Sequence, residues 1–474
     1  MLFGSSGIRK IYDSELLFLA LKTGMAVSCE DTPDSSDSET LLSCADSFAD
    51  SSKTAKSPKT TKPAKPSKPA NLSKLTIMTG RDCRTSGKIL QDAFTAGALH
   101  YGAKVIDGGI APTPTVAYAG RKTSFSCCIT ASHNPEEFNG LKLLNPDGSA
   151  FTKRQQAITE KRIAAIEGGT QLGKPSWENQ GTVSAEDIIT PHKDKILDSF
   201  DISEKLRMVV DCGCGAGSVI TPRLLADAGV NAACINCTPG GVFARPSEPL
   251  EANLPYIHDF VLKRGANGAI VHDGDADRFM GFDEKGRYIS GDHLMMLFAE
   301  FLGAKHVVTT VDASMAIEET AEVRRTPVGD SYVSEELLSW GDFGGEASGA
   351  WIFPEMSLCP DGIYAAGLFC SIASEHKISE LVDKMPSYPI LRSSYPCGKA
   401  KEVLTAMGAK NPTDGLRITE DDGWCLIRAS GTEPKVRITA EGRTVAGAKK
   451  MQEKGLTMLK SEERLYPAGK QITG

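Results

Sequence analysis

The chain has 474 residues, 41% of them hydrophobic and 24% charged, with a net charge of −7. That length exceeds what one core of ~250–300 residues can organise, so several domains are expected. The acidic balance argues against nucleic-acid binding through phosphate contacts. No apolar stretch is long enough to span a bilayer, and the thirteen scattered cysteines read as reduced thiols of a cytoplasmic protein.

In chain order, "FGSSGIR" opens the sequence and residues 14–27 read as a helix. Residues 30–73 stand apart, acidic and serine-rich at first, then "KTAKSPKTTKPAKPSKPANLSK". So few large apolar residues cannot offset the ordering entropy, so this segment is expected to be a disordered insertion within a domain. A strand is expected at 75–79 and a helix at 87–102. Strand-like and helical segments then alternate: "AKVIDGG", "KLRMVVDCG", "ITPRLLADAG", "ANGAIVHDG", "GDHLMMLFAEFLG" and "AKHVVTTVD". This alternation predicts parallel α/β layers. Asp82, Asp211 and Asp273 each close a strand-like run, which suggests a repeated unit. Near the end, "GWCLIRAS" and "KVRITAEG" alternate as antiparallel strands with one wet face do, and predict a separate α+β domain. The expected division is 1–153, 154–255, 256–372 and 373–474.

Four motifs carry chemistry. "TASHNPEEFNG" follows the strand-like "SFSCCI" and exposes Ser132 on a turn fixed by Asn134 and Pro135. It lacks the G-x-S-x-G of a hydrolase elbow. Neighbouring side chains diverge on an extended backbone, so His133 is a poor base for Ser132, though it can orient a group bound there. Residues 273–278, "DGDADR", place Asp273, Asp275 and Asp277 to converge on one hard cation, with Arg278 beside them for an anion. An EF-hand would also use Glu284 at loop position twelve, but it needs glycine where Arg278 stands and a helix where "GAIVH" reads as a strand. "RASGTEPKVR" offers Arg428, Ser430, Gly431, Thr432 and Arg437 as a phosphate cradle or a hairpin turn. "GGEASGAW" sets Glu346 and Ser348 between glycines, able to bond sugar hydroxyls. Two rivals are weak. Cys212, Cys214, Cys234 and Cys237 could hold zinc, but the first pair is spaced too tightly for a usual structural site, and the glycines at 213, 215 and 217 miss the dinucleotide spacing.

Taken in order, these motifs resemble the α-D-phosphohexomutase family of phosphoglucomutases, phosphomannomutases and phosphoglucosamine mutases. The resemblance rests on "FGSSGIR", "GRDCRTSG", "GIAPTPT", "ITASHNPEEFNGLKL", "DGDADR", "PVGDSYVSEEL", "GGEASG" and "RASGTEPKVR", and covers the chain outside 30–73. It implies α/β architecture: three α/β domains with mixed sheets plus a smaller C-terminal α+β domain around a cleft. It implies a phosphoserine at Ser132 and one Mg2+ bridging Ser132, Asp273, Asp275 and Asp277. It implies that Arg9, His133, Lys142 and Arg278 serve the transfer, Lys142 moving a proton and Arg278 stabilising charge. Glu346 and Ser348 would bind the sugar, and Arg428, Ser430, Gly431, Thr432 and Arg437 the second phosphate. A hexose or hexosamine 1,6-bisphosphate would be the activator, a small-molecule sugar phosphate the partner, and the protein a monomer or homodimer. "GEASGAWIFPE" with "CPDGIYAA" resembles the archaeal phosphoglucosamine mutases, which points to glucosamine phosphate. Phosphomannomutase or phosphoglucomutase activity is the alternative, and a non-catalytic sugar-phosphate binder the alternative of another class. Ala350 stands where the sugar loop commonly has His.

Overall fold

The computed structural model describes residues 2–4, 7–29, 75–173, 175–411, 414–430 and 434–463. Two compact units result: residues 1–289 with 348–379, and residues 290–347 with 380–474. The insertion at 30–73, Ser6, Gly431 and Thr432 lie outside the described residues.

In the first unit, β1 (Ile8–Ile11), β2 (Thr76–Arg81), β3 (Lys104–Ile110), β4 (Phe125–Ile129), β5 (Phe138–Leu144) and β6 (Thr182–Ala185) form one sheet. Its order is β1-β5-β4-β2-β3-β6. Strand β2 runs parallel to β3 and β4, whereas β5 is antiparallel to β4 and β1. Pairing of β1 with β5 means that both sides of the 30–73 insertion belong to one domain. Helix α1 (Ser14–Ser28) packs on α2 (Gly87–His100). Gly24 and Gly97 permit that close crossing, since a Cβ there would lie 2.0 Å from the Phe94 carbonyl and 2.1 Å from that of Leu21. Leu16, Ile77, Leu90, Phe94, Val105 and Phe125 fill the core between helices and sheet.

The second sheet repeats the pattern. It contains β7 (Arg207–Asp211), β8 (Asn231–Ile235), β9 (Gly268–His272) and β10 (Phe279–Phe282), in the order β10-β9-β7-β8. Strand β7 is parallel to β8 and β9, and β10 returns antiparallel on β9. Strands β2, β3, β4 and β5 thus correspond to β7, β8, β9 and β10. The expected repeat is present, with one change: Asp82 and Asp211 close equivalent strands, whereas Asp273 follows β9, the counterpart of β4. Helix α3 (Thr113–Gly120), α5 (Ile189–Leu197) and α10 (Gly362–Glu375) also belong to this unit, numbering helices in chain order. The glycine run at 213–217 leads into a short 3-10 turn (Ala216–Val219) rather than an α-helix.

The second unit holds parallel strands β11 (His306–Thr310), β12 (Glu322–Thr326) and β13 (Phe343–Glu346). Helix α8 (Gly291–Leu302) is capped by Ser290, whose side chain accepts from the His293 amide. Strands β15 (Ile390–Pro396), β16 (Leu416–Glu420), β17 (Gly423–Ala429) and β18 (Lys435–Gly442) make a wholly antiparallel sheet in the order β15-β18-β17-β16. The expected wet face of β17 is not found, for Gly423 through Ile427 are all buried. Cys425 and Ile427 face a core with Val403, Val436, Ile438 and Met451, while Trp424 and Leu426 pack on Met315. On the Trp424 face Glu441, fully buried, accepts from Trp424 Nε1 at 2.5 Å, Ser314 Oγ at 2.5 Å and the Met315 amide at 2.8 Å.

Candidate active site

The Ser132 loop begins where β4, buried at all five positions, ends. Thr130 Oγ1 donates to Asp82 Oδ2 at 2.7 Å and accepts from the Ser132 amide at 2.9 Å. Ser132 adopts a left-handed φ of 49° and is 2% exposed, a conformation that an L side chain resists. Because the backbone is not extended here, Ser132 Oγ and His133 Nδ1 lie 3.4 Å apart, closer than the divergence expected from the sequence. The serine hydroxyl nevertheless donates to Asp273 Oδ2 at 2.8 Å, with Asp277 Oδ1 at 3.4 Å. Burial first, then the guanidiniums of Arg278 and Arg9, push His133 down to about 4. It is neutral at physiological pH.

The acidic loop between β9 and β10 brings Asp273, Asp275 and Asp277 within 4.8 Å of one another. All three are buried. Burial, then the charges of Asp277 and Asp275, raise Asp273 well above the usual carboxylate range. Asp277 Oδ2 pairs with Lys142 Nζ at 3.0 Å. Asp275 Oδ2 accepts from Thr113 Oγ1 at 2.6 Å, while its Oδ1 is shielded and without a partner. Such a buried oxygen among like charges is costly unless a cation takes it. Three carboxylates with one orphan oxygen fit a hard divalent metal. Among the described residues this is the group of carboxylates, thiols or imidazoles placed to hold one; Cys212 and Cys237 touch at 3.5 Å without forming a ligand cluster. Glu284 instead accepts from Ser379, and strands flank the loop, so the EF-hand pattern has no structural counterpart. Gly274 lets the two loops meet, since a Cβ there would lie 2.9 Å from the Ser132 carbonyl.

Around this pair of loops, Arg9 on β1 reaches Asn134 Oδ1 at 3.4 Å. Arg278 Nη1 pairs with Glu248 Oε1 at 3.2 Å. Ser247 Oγ accepts from the Gly274 amide at 2.9 Å and lies 3.4 Å from the Ser132 carbonyl, tying one loop to the other. Ser132, Arg9, His133, Lys142, Arg278 and the aspartates are therefore gathered in the first unit. Ser348 belongs there too, with its Oγ shielded and unpartnered.

In the second unit, Glu346 Oε1 accepts from the Gly329 amide at 2.9 Å. Arg428 on β17 stands directly opposite Arg437 on β18, a like-charge pairing that costs stability unless an anion sits nearby. Arg428 Nη1 lies 3.5 Å from Asp312 Oδ2, and Ser430 Oγ is shielded without a partner. The motif reading did not single out Asp82, Arg84, Thr113, Thr130, Ser247 or Glu248 for a role. "GRDCRTSG" and "GIAPTPT" contain the first three, and Asp82 was otherwise marked only as closing a strand.

Comparison with known proteins agrees with this geometry. Models of the phosphoglucomutase/phosphomannomutase alpha/beta/alpha domains I, II and III match residues 67–169, 191–286 and 290–388, and that of the C-terminal domain matches 396–456. A probable phosphoglucosamine mutase of Methanosarcina acetivorans is 43% identical over 78% of this chain and 88% of its own. A phosphoglucosamine mutase of Methanococcus aeolicus is 38% identical over 81% and 91%. The fold is shared with a phosphoglucomutase/phosphomannomutase family protein of Burkholderia thailandensis, at a TM-score of 0.76 and 22% identity over 98% of each chain. The sheets, the buried carboxylates and these matches define a phosphohexomutase. The chain belongs to the phosphoglucomutase/phosphomannomutase family.

Proposed function

We propose that the chain interconverts glucosamine 6-phosphate and glucosamine 1-phosphate through a phosphate carried on Ser132. The observation carrying this reading is the buried Ser132 Oγ held 2.8 Å from Asp273 in the carboxylate loop. Relatives named phosphoglucosamine mutase, about two-fifths identical over most of the chain, favour the amino sugar.

Phosphoryl transfer asks for positioning and charge neutralisation more than covalent chemistry. Asp273, Asp275, Asp277 and the Ser132 phosphate would hold Mg2+. When bound, it supplies positive charge opposite the transferring group. Arg9 and Arg278 flank the serine for the same purpose, and neutral His133 orients the phosphate. The substrate hydroxyl forms a bond to phosphorus as the bond to Ser132 Oγ breaks. Lys142, ion-paired to Asp277, gives a proton to Ser132 Oγ as that oxygen leaves and takes in its place the one that the substrate hydroxyl gives up. The product is a 1,6-bisphosphate, which also serves as activator. Arg428, Ser430, Gly431, Thr432 and Arg437 grip whichever phosphate is not reacting, and Glu346 with Ser348 bonds the sugar hydroxyls. After the bisphosphate turns around, its other phosphate returns to Ser132.

Intact-mass analysis should find one phosphate on the wild type after exposure to a hexose 1,6-bisphosphate, and none on Ser132→Ala. Values of kcat/KM for the 1- and 6-phosphates of glucosamine, mannose and glucose should rank glucosamine first. Failure of the wild type to gain phosphate or turn over any of these sugars refutes the mutase reading. A preference for mannose or glucose refutes only the choice of sugar.

A further inference from the structure

Arg84 is a charged side chain with no exposure to solvent, lying beneath the Ser132 loop. A guanidinium has five N–H donors, and here all five are used. Nε donates to Asp82 Oδ2 at 2.9 Å. Nη1 donates to the carbonyls of Pro135 and, at 2.9 Å, of Phe138. Nη2 donates to those of Ser132 at 2.8 Å and Asn134 at 2.7 Å. The other face of the guanidinium lies 5.0 Å over the Phe243 ring, and the Phe243 amide donates to Glu136, in the same loop, at 3.0 Å. Asp82 is held in turn by the Arg84 amide at 3.0 Å and by Thr130 Oγ1.

A loop needs no such device merely to turn. This one carries Ser132 in a left-handed conformation, and the direction of Oγ follows from where the 132–138 backbone is pinned. The second repeat has a related arrangement. Asp211, the counterpart of Asp82, lies 3.3 Å from Arg245 Nε. Arg245 donates to the carbonyl of His272, which precedes the acidic loop, at 2.6 Å and to that of Ser247 at 3.2 Å.

We infer that Arg84 is a positioning residue for phosphoryl transfer: by holding four backbone carbonyls it aims Ser132 Oγ at the carboxylate loop. This rests on the reading of Ser132 as the phosphate carrier. Lysine keeps the charge but has three donors on one atom and no planar fork, so it cannot hold the same four carbonyls. Asp82→Asn keeps the shape of the carboxylate, but its NH2 either replaces Oδ2, which accepts from both Arg84 Nε and Thr130 Oγ1, or replaces Oδ1 and faces the Arg84 amide.

The test follows phosphate uptake on Ser132 from a hexose 1,6-bisphosphate by quenched intact-mass analysis, together with kcat, KM and a melting curve, for the full-length wild type, R84K and D82N. R84K is expected to melt cooperatively, take up phosphate at least a hundredfold more slowly and lose kcat equally, with KM changed less than about threefold. D82N should show the same split, with a loss of about tenfold. A folded R84K that takes up phosphate as fast as the wild type overturns the proposal. So does a parallel loss in kcat and affinity, the mark of general loosening, and so does a chain that folds with neither substitution, which assigns Arg84 to the fold alone. A wild type that never gains phosphate refutes the Ser132 reading itself, and the proposal with it.

Discussion

Removing the metal should invert the stability order of the wild type and Asp275→Asn. Two carboxylates at the outer limit of this group, 4.8 Å, repel by about 3.5 kcal/mol at an effective dielectric near 20. Asparagine at 275 removes two of the three repulsive pairs, while its amide oxygen still accepts from Thr113. The full sum is not realised, because Lys142 offsets Asp277 and burial beside Asp277 and Asp275 shifts Asp273 toward its neutral form. We expect Asp275→Asn to exceed the wild type by about 1–2 kcal/mol in EDTA. With Mg2+ at about a hundred times its dissociation constant, the wild type gains about 2.7 kcal/mol by mass action. The variant, lacking one charged ligand, gains far less. Thermal melts of both proteins at neutral pH, in EDTA and in excess Mg2+, should therefore cross. If Asp275→Asn melts below the wild type in EDTA, the three aspartates are not a strained set awaiting a cation. If Mg2+ raises both melting points equally, it binds elsewhere.

Two further predictions concern the second unit. Arg437→Ala should raise KM about 10–100-fold with a smaller change in kcat, since a charge-assisted bond to a non-reacting phosphate is made in ground and transition states alike. Steady-state kinetics check it, and an equal loss confined to kcat would contradict it. Glu441→Ala leaves the Trp424 N–H, the Ser314 hydroxyl and the Met315 amide unpaired in a buried setting. It should cost roughly 3–5 kcal/mol in denaturant unfolding, against about 1–2 kcal/mol for Glu441→Gln.

The site was legible where chemistry requires particular side chains at short spacing. Asp273, Asp275 and Asp277 could be read because alternate residues of one tight loop must supply the oxygens, and the structure places them within 4.8 Å. Arg428 and Arg437 stand opposite one another on β17 and β18, which fits either reading of that motif, a phosphate cradle or a hairpin turn. Arg84 was not legible for the converse reason. Four of its five acceptors are backbone carbonyls 48 to 54 residues away, and a carbonyl leaves no trace in residue identity. Glu441 was hidden similarly, inside a strand that reads as half wet, because one face of its sheet is covered by Met315 from far upstream. The His133 geometry was missed because the left-handed φ of Ser132 cannot be inferred for a residue that is neither Gly nor Asn.

The repeat explains why these particular loops bear the chemistry. In both sheets of the first unit the chain lays down parallel strands and then reverses on the last of them, β4 into β5 and β9 into β10. Each reversal sits at the carboxyl end of a parallel strand, where open α/β sheets bind their ligands. The first reversal offers Ser132 and the second Asp273, Asp275 and Asp277. Asp82 and Asp211, which close the equivalent strands β2 and β7, pair with Arg84 and Arg245, and each arginine also grips backbone in or beside these loops. Sequence reading grouped Asp82, Asp211 and Asp273 as one series of strand-ending aspartates. Topology separates them: two are anchors, tied to buried arginines that hold carbonyls, and the third stands one strand further on, among like charges that could hold a metal ion.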